Sequence, residues 1–204
     1  MKARTEARRT AIIQAAADLF LEMGYERASM NELTKRLGGS KATLYGYFHS
    51  KEELFVAVVQ KYATSHLADA VSDLPHGADE ALDFKLVLTR FGENILRVLT
   101  NDGTALAVHR MVLAEVGRSD IGSLFYEAGP SDCINALSTL MQEATARGEI
   151  RSEDFKISAL QFLALVTAEI DVRLYQTSPP PLTLEQIREM VSRAVNMFMN
   201  GARP

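Results

Sequence analysis

The sequence predicts an all-α protein, with a small N-terminal head followed by a larger helical body. Three observations carry this. Apolar residues recur at three- and four-residue steps through most long segments. Ser or Thr followed three positions later by Glu or Gln precedes several of them, the signature of a capped helix start. No stretch alternates apolar and polar residues in a way that would make a strand. The 204 residues are 47% hydrophobic and 24% charged, with 12 glycines and 6 prolines, which is an ordinary globular composition.

The first helix runs from Thr5 to Met23, where Ile12, Ala15, Ala16, Leu19, Phe20 and Met23 share a broad face. Gly24 stands where a left-handed cap would close it. Ser29 and Glu32 form a capping box that opens a short helix with Met30, Leu33 and Leu37 inward, ended by Gly38-Gly39. Ser40 caps the next helix, Lys41 to about Phe48. Ser50 and Glu53 form a second box and open a long helix toward Val71. Pro75 and Gly77 make a break. Further helices are expected at about 81–99, 104–116, 120–127, 131–147, 153–176 and 184–199. Pro130 suits a helix start, Gly148 a helix end, and Ser178 to Pro181 a firm interruption. Thr183 and Gln186 cap the last helix, and Gly201 marks its end.

Two short helices around a Gly-containing turn form a helix-turn-helix pattern. The second would place its N-terminal residues at base edges in a major groove. Leu44 and Phe48 are four apart and face inward, which leaves Lys41, Thr43, Tyr45 and Tyr47 to face out. Such residues suit phosphate donors and contact with a thymine methyl. An ordinary helical core produces the same spacing, so spacing alone leaves both readings open. Charge adds a little. Residues 1–60 hold nine Lys/Arg against seven Asp/Glu, whereas the rest hold thirteen against nineteen. A basic front that includes Arg8 and Arg9, joined to an acidic remainder, fits a DNA-binding head.

Residues Ala11 to Leu54 resemble the DNA-binding domain of the tetracycline-repressor (TetR/AcrR) family of transcriptional regulators. The resemblance lies in GYERASMNELTKRLGGSKATLYGYFHSKEELF, residues 24–55, and is tightest in SKATLYGYFHSKEEL, residues 40–54. It implies a three-helix helix-turn-helix head, residues 1–52, on a helical ligand-binding and dimerisation body, residues 53–204. The implied core positions are Leu44 and Phe48, and the implied DNA-facing positions are Thr43, Tyr45 and Tyr47. Ala42 and Gly46 lie in the same DNA-binding stretch, Lys41 meets phosphate, and Lys51 clamps the DNA backbone. Two residues depart from the family pattern: Gly39, where relatives often carry Val or Ile, and Gly46, where many carry a bulky or basic residue. Further on, FYEAGPSDCINALSTLMQEATARGEIRSEDFKISALQFLALV, residues 125–166, resembles the C-terminal domain of the AefR-like branch.

The expected function is a homodimeric, ligand-responsive repressor on a palindromic operator, released by a small-molecule effector. An activator or dual regulator of the same architecture, or a helical ligand-binding protein that has lost DNA affinity, are the alternatives. The dimer is expected through the last two helices, by Leu160, Leu163 and Thr167 on one and Ile187, Val191, Ala194, Val195 and Phe198 on the other. Candidate effector contacts are His109, Met111, Phe125, Tyr126, Met141, Phe162, Leu163 and Thr167, although each also suits a helical core. No cofactor, metal site or enzyme motif is expected. The four histidines lack HExxH-type spacing, and Cys133 stands alone, which favours a buried thiol in a cytoplasmic protein. No run of eighteen apolar residues exists to form a membrane span.

Overall fold

The computed structural model describes residues 2–74, 83–117 and 119–203. The break expected at Pro75 and Gly77 lies outside them. The fold is all-α: among the described residues the sole β pairing is an isolated bridge between Val116 and Ser119. The helices are α1 (Lys2–Met23), α2 (Met30–Leu37), α3 (Lys41–Tyr45), α4 (Lys51–Val59) and α5 (Ser65–Ser72). After them come α6 (Phe84–Asn101), α7 (Gly103–Glu115), α8 (Ile121–Glu127), α9 (Pro130–Ala146), α10 (Phe155–Thr167) and α11 (Leu184–Gly201). A π-helical segment, Gln60–Thr64, joins α4 to α5, and a 3₁₀ turn, Asp171–Tyr175, follows α10. The single long helix expected over 153–176 is therefore a shorter helix and a separate tight turn. Arg173, within that turn, is buried and donates to the carbonyls of Thr100, at 3.4 Å, and Pro180.

The chain packs into two compact units. One comprises residues 1–65 and 104–128, the other residues 66–103 and 129–204. These differ from a division at residue 52, because α7 and α8 pack with the N-terminal helices. Val108, Met111, Val112 and Ile121 join Ile12, Ala16, Leu19, Phe20, Leu33, Leu44, Phe48 and Phe55 in one apolar core. At its centre Phe20, Tyr25 and Phe55 meet with ring centroids 5.1–6.0 Å apart. The second unit buries Phe84, Leu88, Phe91, Ile95, Leu137, Met141, Val166, Val191 and Val195. Through it runs an aromatic line, Phe91 to Phe162 to Phe198, at 6.2 and 5.5 Å.

Local chemistry sets the helix ends. Gly24 (φ 79°) and Gly38 (φ 62°) take the left-handed conformation that closes α1 and α2. Thr183 and Gln186 form a complete capping box on α11, with bonds of 3.2 and 2.9 Å. The two boxes expected earlier are one-sided. Ser29 Oγ accepts from the Glu32 N–H, but the Glu32 carboxylate turns to Lys35 and Arg36. Ser50 Oγ accepts from the Glu53 N–H, while the Glu53 carboxylate passes Ser50 and accepts from the His49 N–H at 2.7 Å. Asp83 and Asp154 cap α6 and α10 through their own side chains.

Candidate nucleic-acid interface

Helices α2 and α3 are joined by Gly38, Gly39 and Ser40. Ser40 Oγ accepts from the Thr43 N–H at 3.1 Å and lies 2.9 Å from Thr43 Oγ1, so the cap holds both the helix start and the Thr43 hydroxyl. Leu44 and Phe48 are 2% and 1% exposed, and they anchor the segment in the core of the first unit. Lys41, Ala42, Thr43, Tyr45 and Gly46 are exposed, and Tyr47 is half-buried. The exposed residues are thus brought onto one short element by its two apolar anchors.

The helix is shorter than its sequence pattern predicts. It ends at Tyr45, and Gly46 is its C-cap rather than an interior residue, with φ −73° and its N–H on the Ala42 carbonyl at 3.0 Å. Tyr47 and Phe48 both donate to the Leu44 carbonyl at 3.0 Å, so the backbone tightens into a turn there. A turn is what carries Phe48 back to the core in so few residues.

Lys51 is placed differently from a free clamp. It is half-buried, and its Nζ donates to the Tyr25 carbonyl at 3.1 Å and lies 4.2 Å from the Tyr25 ring centroid. The Tyr25 hydroxyl in turn donates to Glu52 at 3.3 Å. Burial first, and then the Glu52 charge, push the Tyr25 phenol upward. The Glu52 carboxyl is held below its ordinary value, first by its own backbone N–H and then by Ser50. Lys51 therefore ties the start of α4 to the turn between α1 and α2. Sequence spacing had no signal for this contact, since its partner lies 26 residues away.

The proposed effector residues divide between the two units. His109, Met111, Phe125 and Tyr126 belong to the first unit, and Met141, Phe162, Leu163 and Thr167 to the second. The His109 and Phe125 rings meet at 5.5 Å, both half-buried. Met111 is buried in the first core, whereas Met141 and Phe162 are fully buried in the second. Tyr126 is exposed, and Leu163 and Thr167 are half-buried. The second unit has a cleft of about 350 Å³ lined by Ala70, Asp73, Leu74, Val87, Arg90, Phe91, Glu93 and Asn94, none of them foreseen. Among the described residues no group of three or more His, Cys, Asp or Glu side chains is placed to hold a metal ion.

The expected dimer residues on α11 face into their own unit. Ile187, Val191, Ala194, Val195 and Phe198 are all buried inside their own protomer, at 6% exposure or less. Their apolar face is spent on α6 and α10 of the same chain. Leu160 is 40% exposed, and Leu163 and Thr167 are half-buried. The apolar residues left outside on these helices include Ile157 and Met197, at 48% and 65%. A groove of about 530 Å³ runs beside them, lined by Arg151, Ser158, Gln161, Ala164, Leu165, Met197, Phe198, Gly201 and Ala202. Periodicity marks an apolar face without saying which of two partners covers it.

A capped helix-turn-helix with an outward polar segment, on an all-helical chain with a second helical unit, defines a DNA-binding regulator. The chain belongs to the TetR/AcrR family of bacterial transcriptional regulators. Residues 12–58 match the tetR family of bacterial regulatory proteins, and residues 86–201 match the C-terminal domain of AefR-like transcriptional repressors. The flavonoid-responsive regulator FrrA superposes with a TM-score of 0.76 at 32% identity, over 97% of this chain and 98% of its own. A TetR-family regulator from Mesorhizobium loti superposes with a TM-score of 0.75 at 25% identity, over 98% and 99% of the two chains. The uncharacterized regulator YhgD of Bacillus subtilis is 25% identical over 88% of this chain and 90% of its own. The transcriptional activator FasR of Mycolicibacterium smegmatis is 38% identical over 77 residues, which span 38% of this chain and 32% of that relative.

Proposed function

We propose that this protein is a homodimeric repressor of the AefR-like branch that binds a palindromic operator and is released by a small molecule. The observation that carries the DNA-binding part is α3 itself. Its two anchors are buried while Lys41, Ala42, Thr43, Tyr45 and Gly46 stand exposed, with Tyr47 at the turn. Lys41 would donate to phosphate, and Thr43, Tyr45 and Tyr47 would meet base edges or the thymine methyl. Ala42 and Gly46 are small enough to let the backbone approach the groove. Lys51 would hold the supporting turn and keep a remaining donor for the DNA backbone. Residues 1–52 form the reading head in this scheme, and residues 53–204 the regulatory body.

Two heads are needed for a palindrome, with half-sites spaced by a helical turn or a multiple of it. The second copy would sit on the exposed side of α10 and α11, over Ile157, Leu160, Ala164 and Met197. Leu163 and Thr167 would contribute at the edge. Two separate sets of effector candidates follow: His109, Phe125 and Tyr126 in the first unit, where Met111 belongs to the core, and Leu163 and Thr167 in the second, where Met141 and Phe162 belong to the core. An effector would act by favouring a head spacing that no longer fits successive major grooves.

The test is selection of bound fragments from sheared genomic DNA with the full chain, followed by footprinting. A two-fold symmetric site protected on both halves is expected. Recovery of random fragments only would leave the ligand-binding reading without DNA specificity. FrrA makes a flavonoid the first effector to add. FasR's activity as an activator gives a second reading, and a reporter gene placed behind the recovered site separates the two by the sign of its response.

A further inference from the structure

The cations around α3 differ in what they already hold. Arg36 pairs with Glu22 at 2.7 Å, Lys35 lies 3.5 Å from Glu32, and Lys51 already donates to the Tyr25 carbonyl. Arg8 and Arg9 on α1 make neither a hydrogen bond nor an ion pair among the described residues. Both nevertheless lie beside the recognition segment. A Cβ on Gly39 would lie 3.1 Å from Arg8 Nη2, so the guanidinium rests against the glycine that leads into Ser40 and α3. The Arg9 guanidinium carbon lies 5.1 Å from the centroid of the Phe48 ring, just past the other end of the segment. The nearby Glu53 carboxylate accepts from the His49 N–H, and it also feels the Arg9 charge without pairing with it.

We propose that Arg8, seated on Gly39, and Arg9, laid against Phe48, form a phosphate-binding station on α1 that brackets α3. Gly39 is then the residue that opens the seat for Arg8. A guanidinium presents five N–H donors in a planar fork suited to phosphate oxygens. Unpaired donors reach phosphate without first breaking an internal ion pair. A larger residue at 39 would push the Arg8 fork away from the segment while leaving every charge in place. The station rests on the DNA-binding reading of the head.

The test measures affinity against salt, from about 50 to 200 mM, for a mixed-sequence duplex of roughly 30 base pairs. The full chain is compared with Arg8→Ala, Arg8→Lys and Gly39→Val, and circular dichroism confirms the fold of each. The backbone at Gly39 is not in the left-handed region, so valine is allowed there. Each phosphate contact contributes about 0.9 to the log–log slope, so Arg8→Ala should lower it by about 1.8 in a dimer. Arg8→Lys should restore most of that. Gly39→Val should lower the slope similarly although no charge is lost. Wild-type slopes in both Arg8→Ala and Gly39→Val overturn the station, as does a loss in Arg8→Ala without one in Gly39→Val. A wild-type chain whose retention on DNA ignores salt overturns the DNA-binding reading itself.

Discussion

At the scale of single residues, two glycines, one capping α3 and one inside α6, behave oppositely. A Cβ on Gly46 would lie 3.4 Å from the carbonyls of Ala42 and Thr43, an ordinary contact, and the backbone there is right-handed. Gly46→Ala should therefore raise stability by about 0.4–1 kcal/mol through the unfolded chain, read as a higher Tm. A Cβ on Gly92 would lie 2.8 Å from Val191 Cγ1, in a core where Val191 has no exposed surface. Gly92→Ala should cost roughly 1–3 kcal/mol, and Val191→Ala should recover part of it in the double variant. Cys133 makes a third case. It is 2% exposed, and burial pushes its thiol up to about 12, far from the thiolate form at neutral pH. Native protein should resist a thiol reagent such as DTNB and react fully once unfolded in guanidinium. Rapid labelling of the native protein would sink this assignment.

At the scale of elements, α11 has two sides with different fates. Its buried side, Ile187, Val191, Ala194, Val195 and Phe198, holds one protomer together, whereas Met197 faces outward. A charge on each side should separate the two roles. Val191→Glu should unfold the protein, since an unpaired buried carboxylate costs several kcal/mol. Met197→Glu with Leu160→Glu should leave helix content and Tm nearly unchanged and convert a dimer to a monomer in light scattering. An unaltered dimer mass in that pair would place the interface elsewhere. The turn between α1 and α2 depends on a long-range tie. Lys51→Ala removes a bond to the Tyr25 carbonyl and the ring contact, and it should cost roughly 1 kcal/mol.

At the scale of the whole molecule, several carboxylates are held below the ordinary value of 4.5. Glu22 is held by Arg36, Glu52 by its own backbone N–H and Ser50, Glu53 by the His49 backbone N–H, and Glu169 by Arg193. A carboxylate whose folded value is depressed contributes stability that is present above its unfolded value. That contribution is lost as pH falls through the folded one. Thermal stability should thus be level above about pH 5 and fall progressively below about pH 4.5. Added salt should shrink the part due to the exposed Glu22–Arg36 and Glu169–Arg193 pairs more than the part due to the α4 cap. A Tm that rose on acidification would contradict the sign of all four shifts.

Much of this protein was legible in the sequence because its information was local. Helix starts at Ser29, Ser40, Ser50 and Thr183, stops at Gly24 and Gly38, and the inward pair Leu44 and Phe48 all follow from residues within a turn or two of each other. The outward segment from Lys41 to Gly46 follows from the same pattern. What remained belongs to contacts between distant residues. Periodicity marked the α11 face as apolar, but only packing decided that α6 and α10 of the same chain cover it. The α7 and α8 helices looked like body and pack with the head, because Val108, Val112 and Ile121 find their partners more than 40 residues earlier. Lys51 was marked only as a clamp for the DNA backbone, and its bond to a carbonyl 26 residues away had no local signal. The sequence by itself determined which stretches are helical and which faces are apolar, since backbone capping and side-chain period act at short range. Tertiary structure alone decided what each face and each charge meets, since burial and pairing depend on which distant groups compete for the same surface.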